Sequence, residues 1–521
     1  MKMSTRTKIL LFALLALINI ILRIQAAPYE IGYDSFFIHI IANSISEFGY
    51  AKWLLHPLSV FGLYPFSYSS SVPFILSGIS QISGLEMHSI VFIFGMILGI
   101  LSMMTAYIMA GEIRDCDFFR FFVVFGFSTS PAILAYSTWT IPTRGMFVVL
   151  APIYIYLLLK SLKYFKFASL IIIFSMFLLA THHMFYFLIP IVFGFLILVL
   201  YDKFKISTHP LLSKINIMGI IKERLHYILP IAGFVVMFSI PFFTRRFLEV
   251  SRFSPIYISY IRYLGILIIP ALGGLFYLIF KFKRSLGEQL LLLSTIFLTA
   301  LIYQVTYMKF FIAILIMGFV GFGLVNVIML SKKYKYAIFS TIILLVLAII
   351  FSGYYQFFKY DSEEGNPYNE RHIEVSSFIA GKWIKNNMKN SAISHDPLFG
   401  TRILAISDTT HFLDTSSNID QVYGFIEPNL TEFKKIPLTN ERAWFARGFE
   451  GPDPGESLWF EVNLLNKNPM QLNITYVVEN TRTLGNIVWK HGIRASNLLQ
   501  YVYGEKNSIY HNGNVKIWKL D

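Results

Sequence analysis

Chemistry is easiest to build on Asp34, in the stretch Glu30-Ile31-Gly32-Tyr33-Asp34-Ser35. It closely follows an apolar run and opens a segment with Phe36, Phe37, Ile40, Ile41, Ile45 and Phe48 at helical spacing. A carboxylate fixed at the edge of an apolar slab could act as general base toward a hydroxyl or amine, or ligate a metal. The competing reading is an N-cap, since Asp before a helix accepts from free backbone N–H groups. Arg144, in Thr138-Trp139-Thr140-Ile141-Pro142-Thr143-Arg144-Gly145, has hydroxyl and aromatic neighbours and no acid. A guanidinium in that setting suits a phosphate, which it grips with two parallel hydrogen bonds. Arg245, Arg246, Arg252 and Lys309 fall in loops of the same side and would add to a cationic pocket, whereas a lone Arg or Lys at a helix end can simply snorkel to lipid headgroups. His182, His183 and His39 are candidates for contacts to an acceptor or for lining the site; adjacent His182 and His183 point apart and cannot together chelate one metal on a regular helix. A metal beside Asp34, Mg or Mn, would need Glu30, Glu47 or Glu249 to complete it. No cofactor is required by the pattern: P-loop, dinucleotide Gly fingerprint, His-Glu-x-x-His and nucleophile elbow are all missing.

The elements that must position these groups are membrane helices. The chain has 521 residues, 55% hydrophobic and only 14% charged, where a soluble chain carries about 25% charged residues. Apolar runs near the ~20 residues needed to cross hydrocarbon recur up to position 358, at 9–27, 88–110, 119–137, 145–160, 167–181, 184–201, 227–243, 258–280, 288–303, 310–330 and 336–358. The expected fold is thus an α-helical polytopic membrane protein of about eleven transmembrane helices. The first run is read as a retained helix and not as a cleaved signal. The net charge of +14 does not point to nucleic acid, because the excess of cations lies wholly before residue 360. Lys2, Arg6, Lys8, Arg114, Arg120, Lys160, Lys163, Lys166 and Lys281 to Arg284 all fall on one side, which the positive-inside rule makes cytoplasmic. The N-terminus is then cytoplasmic and, with an odd number of spans, the chain beyond residue 360 is extracytoplasmic, in a cell membrane.

Residues 1–359 form the expected transmembrane domain, with one disproportionate external loop, 28–87; such length is usually functional. Its segment 35–48 is expected as an amphipathic helix on the outer interface, and 72–85 as an interfacial or re-entrant piece. Residues 360–521 are expected as a soluble α/β domain, from a helix at 370–387 followed by short strands punctuated by turns such as Asn512-Gly513. The single Cys116 excludes an internal disulfide framework.

Taken together, Gly32-Tyr33-Asp34-Ser35-Phe36-Phe37-Ile38-His39 after the first span, the large first loop, the segment from Ser130-Pro131 to Arg144, the odd span count and the exterior C-terminal domain resemble the GT-C superfamily of membrane glycosyltransferases, which includes oligosaccharyltransferases, protein mannosyltransferases and aminoarabinose transferases. The resemblance implies transfer of a sugar from a polyprenyl-phosphate or pyrophosphate lipid to a protein, lipid or glycan acceptor, with Asp34 as the catalytic carboxylate and Arg144, Arg245, Arg246, Arg252 and Lys309 on the donor phosphate. Two departures narrow it. The Trp-Trp-Asp motif of oligosaccharyltransferases is absent, and the Ser137–Arg144 loop lacks their acidic pair, so a metal-independent transferase using a monosaccharide-phosphate lipid fits better than an N-glycosylating enzyme. The alternatives are a transporter or flippase of lipid-linked saccharides, and an envelope polysaccharide polymerase or ligase.

Overall fold

The computed structural model describes residues 2–24, 29–49, 71–207, 228–237, 239, 262–299, 308–330, 336–364, 372–388, 391–394, 397–407, 412–414, 474–481 and 507–519. Among the described residues, five helices are long and apolar enough to cross a membrane: Met87–Ile113, Thr143–Ser161, Arg262–Phe280, Ala313–Leu330 and Tyr336–Tyr355. Five shorter apolar helices accompany them. Large apolar side chains point outward along many of these helices, Ile172, Ile173 and Met176 and Ile342, Ile343 and Val346 among them. So broad an apolar exterior is tolerable only against lipid, and the chain is a membrane protein. The eleven expected spans include 227–243 and 258–280, parts of which lie outside the described residues.

In chain order the helices that frame the site are α1 (Thr5–Ile21), α2 (Tyr33–Phe48), α3 (Ser71–Ser83), α4 (Met87–Ile113), α5 (Asp117–Thr129), the single turn α6 (Pro131–Leu134), α7 (Thr143–Ser161) and α8 (Lys166–Thr181). α1 starts at Ser4, whose hydroxyl accepts from the Thr7 amide at 3.1 Å, an N-cap that meets one of the free amides of the first turn. The run expected to span 119–137 without interruption is broken. Pro131 forces the preceding Ser130 into an extended conformation (φ −65°, ψ 144°), so α5 ends at Thr129 and α6 sets off in a new direction. That break frees residues 135–142 to form the loop that carries the site.

The sequence 35–48 does form a helix, but α2 does not lie on the membrane surface. Its apolar residues occupy two opposite faces. Ile38, Ile41 and Ile45 are buried in the bundle core with Val72, Leu76 and Ile90, while Phe36 and Ile40 enter a second core with Ile373, Ile384, Phe399 and Ile403. Interfacial and buried amphipathic helices share one spacing, so periodicity alone cannot separate them. The stretch expected as interfacial or re-entrant is the helix α3, with Val72 and Leu76 buried and Ile82 exposed; Pro73 is accommodated because it lies in the first turn.

The second core belongs to the C-terminal α/β domain. Two helices, Val375–Asn387 and Pro397–Ser407, pack on a five-stranded mixed sheet. Strands β1 (Ser391–Ser394), β2 (Phe412–Asp414), β3 (Ile474–Asn480), β4 (Asn507–His511) and β5 (Val515–Lys519) stand in the order β2-β1-β3-β5-β4. β1 runs parallel to β2 and β3, and the β3–β5–β4 pairs are antiparallel. Between β4 and β5 the Asn512 side chain accepts from the Asn514 and Val515 amides, the local bond that makes Asn a turn residue.

Candidate functional site

The first residues of α2 and the loop 137–143 before α7 are bound to one another. The Ile31 amide donates to the Trp139 carbonyl at 2.8 Å, and the Ile141 amide to the Ser35 hydroxyl at 2.8 Å. Gly32 has φ +100°, and a Cβ there would lie 3.2 Å from the Thr140 hydroxyl, so both backbone angle and space call for glycine. Trp139 has φ 50° and its ring stacks on Phe92 of α4 at 4.6 Å. A non-glycine residue in that region costs energy unless its surroundings hold it there, and here the stacked ring and the Ile31 bond do so.

This stitching brings Asp34 to Arg144. Their side chains form an ion pair, with the carboxylate half exposed and the guanidinium mostly covered, the latter lying over the Tyr136 ring at 5.4 Å. Asp34 is not the N-cap of its helix: that position is Gly32, which makes no side-chain cap bond. Its carboxylate reaches across to Arg144 instead. Arg144 occupies the first turn of α7, where the helix dipole opposes a cation by about 0.3–1 kcal/mol. A helix builder would not choose Arg there, which points to a use for the charge. The pair offers an exposed oxygen base beside a guanidinium that can take an anion.

Behind Asp34 lies a buried polar cluster. Glu30 is fully buried; one carboxylate oxygen accepts from the Ser35 hydroxyl at 2.5 Å and the other meets His39 Nδ1 at 2.6 Å. The Glu30 carbonyl accepts from the Ile373 amide at 3.0 Å, so the same residue ties the site to the C-terminal domain. Asp34 itself lies five positions before His39 and so faces elsewhere on the helix.

Sequence reasoning did not single out Arg23, which lies beneath the loop and is 1% exposed. No carboxylate among the described residues pairs with it. Its guanidinium donates to the Asn19 carbonyl (3.1 Å) and side-chain oxygen (2.8 Å), to the Ser128 carbonyl (3.3 Å) and to the Ser137 hydroxyl (3.1 Å). Asn19 is in the last turn of α1 and Ser128 in the last turn of α5. Arg23 therefore caps two helix C-termini at once, where free carbonyls and the negative ends of two dipoles favour a cation. Gly99 of α4 gives the room: a Cβ there would sit 2.7 Å from the guanidinium. The signal was available, since an arginine inside an apolar run is a functional or structural marker by default.

The other sequence candidates are dispersed. His182 ends α8; its Nδ1 accepts from the Met184 amide at 3.0 Å, and its ring lies 6.4 Å from Phe147. His183 begins a short 3-10 helix, His183–Leu188, and Lys309 lies in the helix Met308–Leu330; neither side chain is among those described. Arg245, Arg246, Arg252 and Glu249 lie outside the described residues. Glu47 is exposed in the last turn of α2, about 20 Å along the helix from Asp34 at 1.5 Å per residue. Among the described residues no three His, Cys, Asp or Glu side chains group as a metal site. Glu30 has both oxygens engaged, which leaves Asp34 as the one described carboxylate offered beside Arg144, a poor donor set for Mg or Mn.

No protein-family model matches the sequence, and no curated protein matches it. Solved structures do match in fold. The apo form of the Archaeoglobus fulgidus oligosaccharyltransferase superposes with a TM-score of 0.52 at 11% identity, over 92% of this chain and 70% of that one. The same enzyme in complex with Zn and sulfate gives 0.54 at 13% identity, over 98% and 72%. A structure of AglB from that organism with an inhibitory peptide and a dolichol-phosphate gives 0.47 at 14% identity, over 98% and 74%. What this chain shares with the first two is the fold.

Proposed function

We propose that this protein is a membrane glycosyltransferase that moves a sugar from a polyprenyl-phosphate or pyrophosphate lipid to a protein, lipid or glycan acceptor. The observation that carries the reading is the Asp34–Arg144 pair, assembled by two stitched loops at one end of an oligosaccharyltransferase-like helical bundle. The lipid tail stays in the bilayer, so the phosphate is delivered to the membrane boundary, and the acceptor comes from water.

The chemistry follows from the two groups. The acceptor O–H or N–H attacks the anomeric carbon, and its proton passes to the Asp34 carboxylate. The bond from that carbon to the phosphate oxygen breaks, and its electron pair leaves with the lipid phosphate. Arg144 exchanges its pairing with Asp34 for two hydrogen bonds to the leaving phosphate, which neutralises the developing charge. Release of Asp34 from the ion pair at the same moment raises its basicity. General-base assistance of this kind is worth about 10²–10⁴ in rate. Arg245, Arg246, Arg252 and Lys309 are the further candidates for the phosphate, and His182, His183 and His39 for the acceptor side. No step is assigned to a metal, because the described carboxylates beside Arg144 do not make a cation site.

The lysine- and arginine-rich loops support a reading with the N-terminus in the cytoplasm and the catalytic end, with the C-terminal domain, outside. The test is transfer by the purified full-length protein in nanodiscs, supplied with lipid-linked sugars extracted from the source membranes. Asp34→Asn and Arg144→Met should each abolish product while leaving the fold intact. Normal transfer by Asp34→Asn would refute the role.

A further inference from the structure

Beside the ion pair, on the other face of α2, a cavity of about 240 Å³ opens between the α3–α4 turn and the C-terminal helices. His39 is its most informative wall. The side chain is 2% exposed, and its Nδ1 is committed to the Glu30 carboxylate. The side chain lines the cavity, and its Nε2 has no hydrogen-bonding partner among the described residues. With an N–H on Nδ1 toward the carboxylate, Nε2 is an acceptor in the neutral ring and a donor in the protonated one, and a hydroxyl can meet either. One turn on, Asn43 also lines the space; one N–H of its amide donates to the Ala405 carbonyl at 3.2 Å, which leaves its oxygen and its second N–H for a ligand. Lys382 and Lys385 supply donors at the mouth, and Glu86, hydrogen-bonded to Lys382, puts a carboxylate there too.

This wall is ill suited to a bare anion, which Glu86 would repel and which would leave the Asn43 oxygen without a donor. It suits a polyol, whose hydroxyls both donate and accept and so can meet His39, Asn43, Glu86 and the ammonium groups together. The volume is below the roughly 300–1,000 Å³ of sites for drug-sized ligands, and matches one ring. His39 and Asn43 lie about 7.5 and 13.5 Å along α2 from Asp34 at 1.5 Å per residue, past the sugar under reaction and level with units beyond it.

We propose that this cavity is a subsite for one saccharide ring, held by hydrogen bonds with His39, Asn43 and Lys382. It rests on the glycosyl-transfer reading only for the source of the ring, which is either a distal unit of the donor glycan or a unit of a glycan acceptor.

The test uses full-length protein in phosphatidylcholine nanodiscs and saturation-transfer NMR with the methyl glycosides of glucose, mannose, galactose and N-acetylglucosamine. At least one should bind. Its signal should fall at least tenfold in Asn43→Leu, which fills the cavity, and several-fold in Lys382→Met, whose site at the mouth leaves the core intact. Should Asn43→Leu fail to fold, Lys382→Met decides alone. Binding by none of the glycosides, or binding unchanged in the variants, overturns the proposal. So does a site that takes inorganic phosphate, or phosphatidylglycerol added to the nanodisc, in place of a glycoside. Asp34→Asn separates the two readings, since it should stop transfer and keep glycoside binding. Transfer without glycoside binding sinks the subsite alone, and glycoside binding without any transfer sinks the transferase reading alone. In the transfer assay the bound glycoside should raise the KM for the donor if the ring is the donor's, and the KM for the acceptor if it is the acceptor's.

Discussion

Replacing Arg23 by Met tests whether a cation that caps two helices holds the catalytic loop in place. The substitution keeps an unbranched side chain as far as the position of Nε and removes every donor. Three acceptors would lose the partner described for them, namely the Asn19 carbonyl, its side-chain oxygen and the Ser128 carbonyl, whereas the Ser137 hydroxyl keeps its bond to Ile133. Buried acceptors left unsatisfied cost about 1–3 kcal/mol each. Burying the Met side chain returns about 1.5–3 kcal/mol, so the net loss is on the order of 3 kcal/mol. Unfolding of the purified protein in nanodiscs by denaturant, followed by tryptophan fluorescence, reads this, with transfer activity measured in parallel. Trp139 lies two residues after Ser137, the loop residue that Arg23 holds, so its emission should change in the folded variant. A variant within about 0.5 kcal/mol of the native protein, with unchanged Trp139 emission, would refute the capping account.

Further expectations follow from the same geometry. Gly99→Ala should destabilise the native protein because its methyl meets the guanidinium at 2.7 Å, and most of that penalty should vanish in the Arg23→Met background, a non-additivity that a double-mutant cycle measures. Gly32→Ala should cost about 1–3 kcal/mol through its positive φ and lower transfer further by shifting Asp34; wild-type activity would count against the stitched loops. The Lys382 hydrogen bond, against an opposing effect of burial, holds the Glu86 carboxyl below its ordinary value of 4.5. A carboxyl depressed in the folded state contributes stability that is present above that ordinary value and lost as pH falls through the lower, folded one. Glu86 is half exposed, so the contribution is under about 1 kcal/mol. Protection of the helix Val375–Asn387 against hydrogen exchange, taken relative to the intrinsic rate at each pH, should fall on acidification through this range in the native protein, with a smaller fall in Glu86→Gln.

The legible parts of the sequence were those governed by hydropathy and local spacing. Apolar runs gave the membrane class, and the period of residues 35–48 gave a helix close to that observed. Asp34 and Arg144 stood out separately, Asp34 for its position after the first run and Arg144 for its neighbours, yet nothing local says that they meet. Their pairing depends on the break at Ser130-Pro131 and on bonds linking residues 106 positions apart. The same limit applies to Glu30, weighed as a metal ligand, which turns instead to Ser35 and His39. Arg23 was overlooked because a buried cation without an acid has no sequence partner; its acceptors are main-chain carbonyls and small polar side chains. The two-sided burial of α2 depends on a domain more than 300 residues away, and the spacing of one face carries no record of what covers the other.

The most direct test compares native, Asp34→Asn and Arg144→Met proteins at equal membrane abundance, with mass spectrometry of the glycoproteins and glycolipids of the cells. The account predicts that one defined sugar is missing from the same glycan in both variants and in the deletion. Glycans altered by the deletion but intact in Asp34→Asn would contradict it, leaving Asp34 as a structural partner of Arg144.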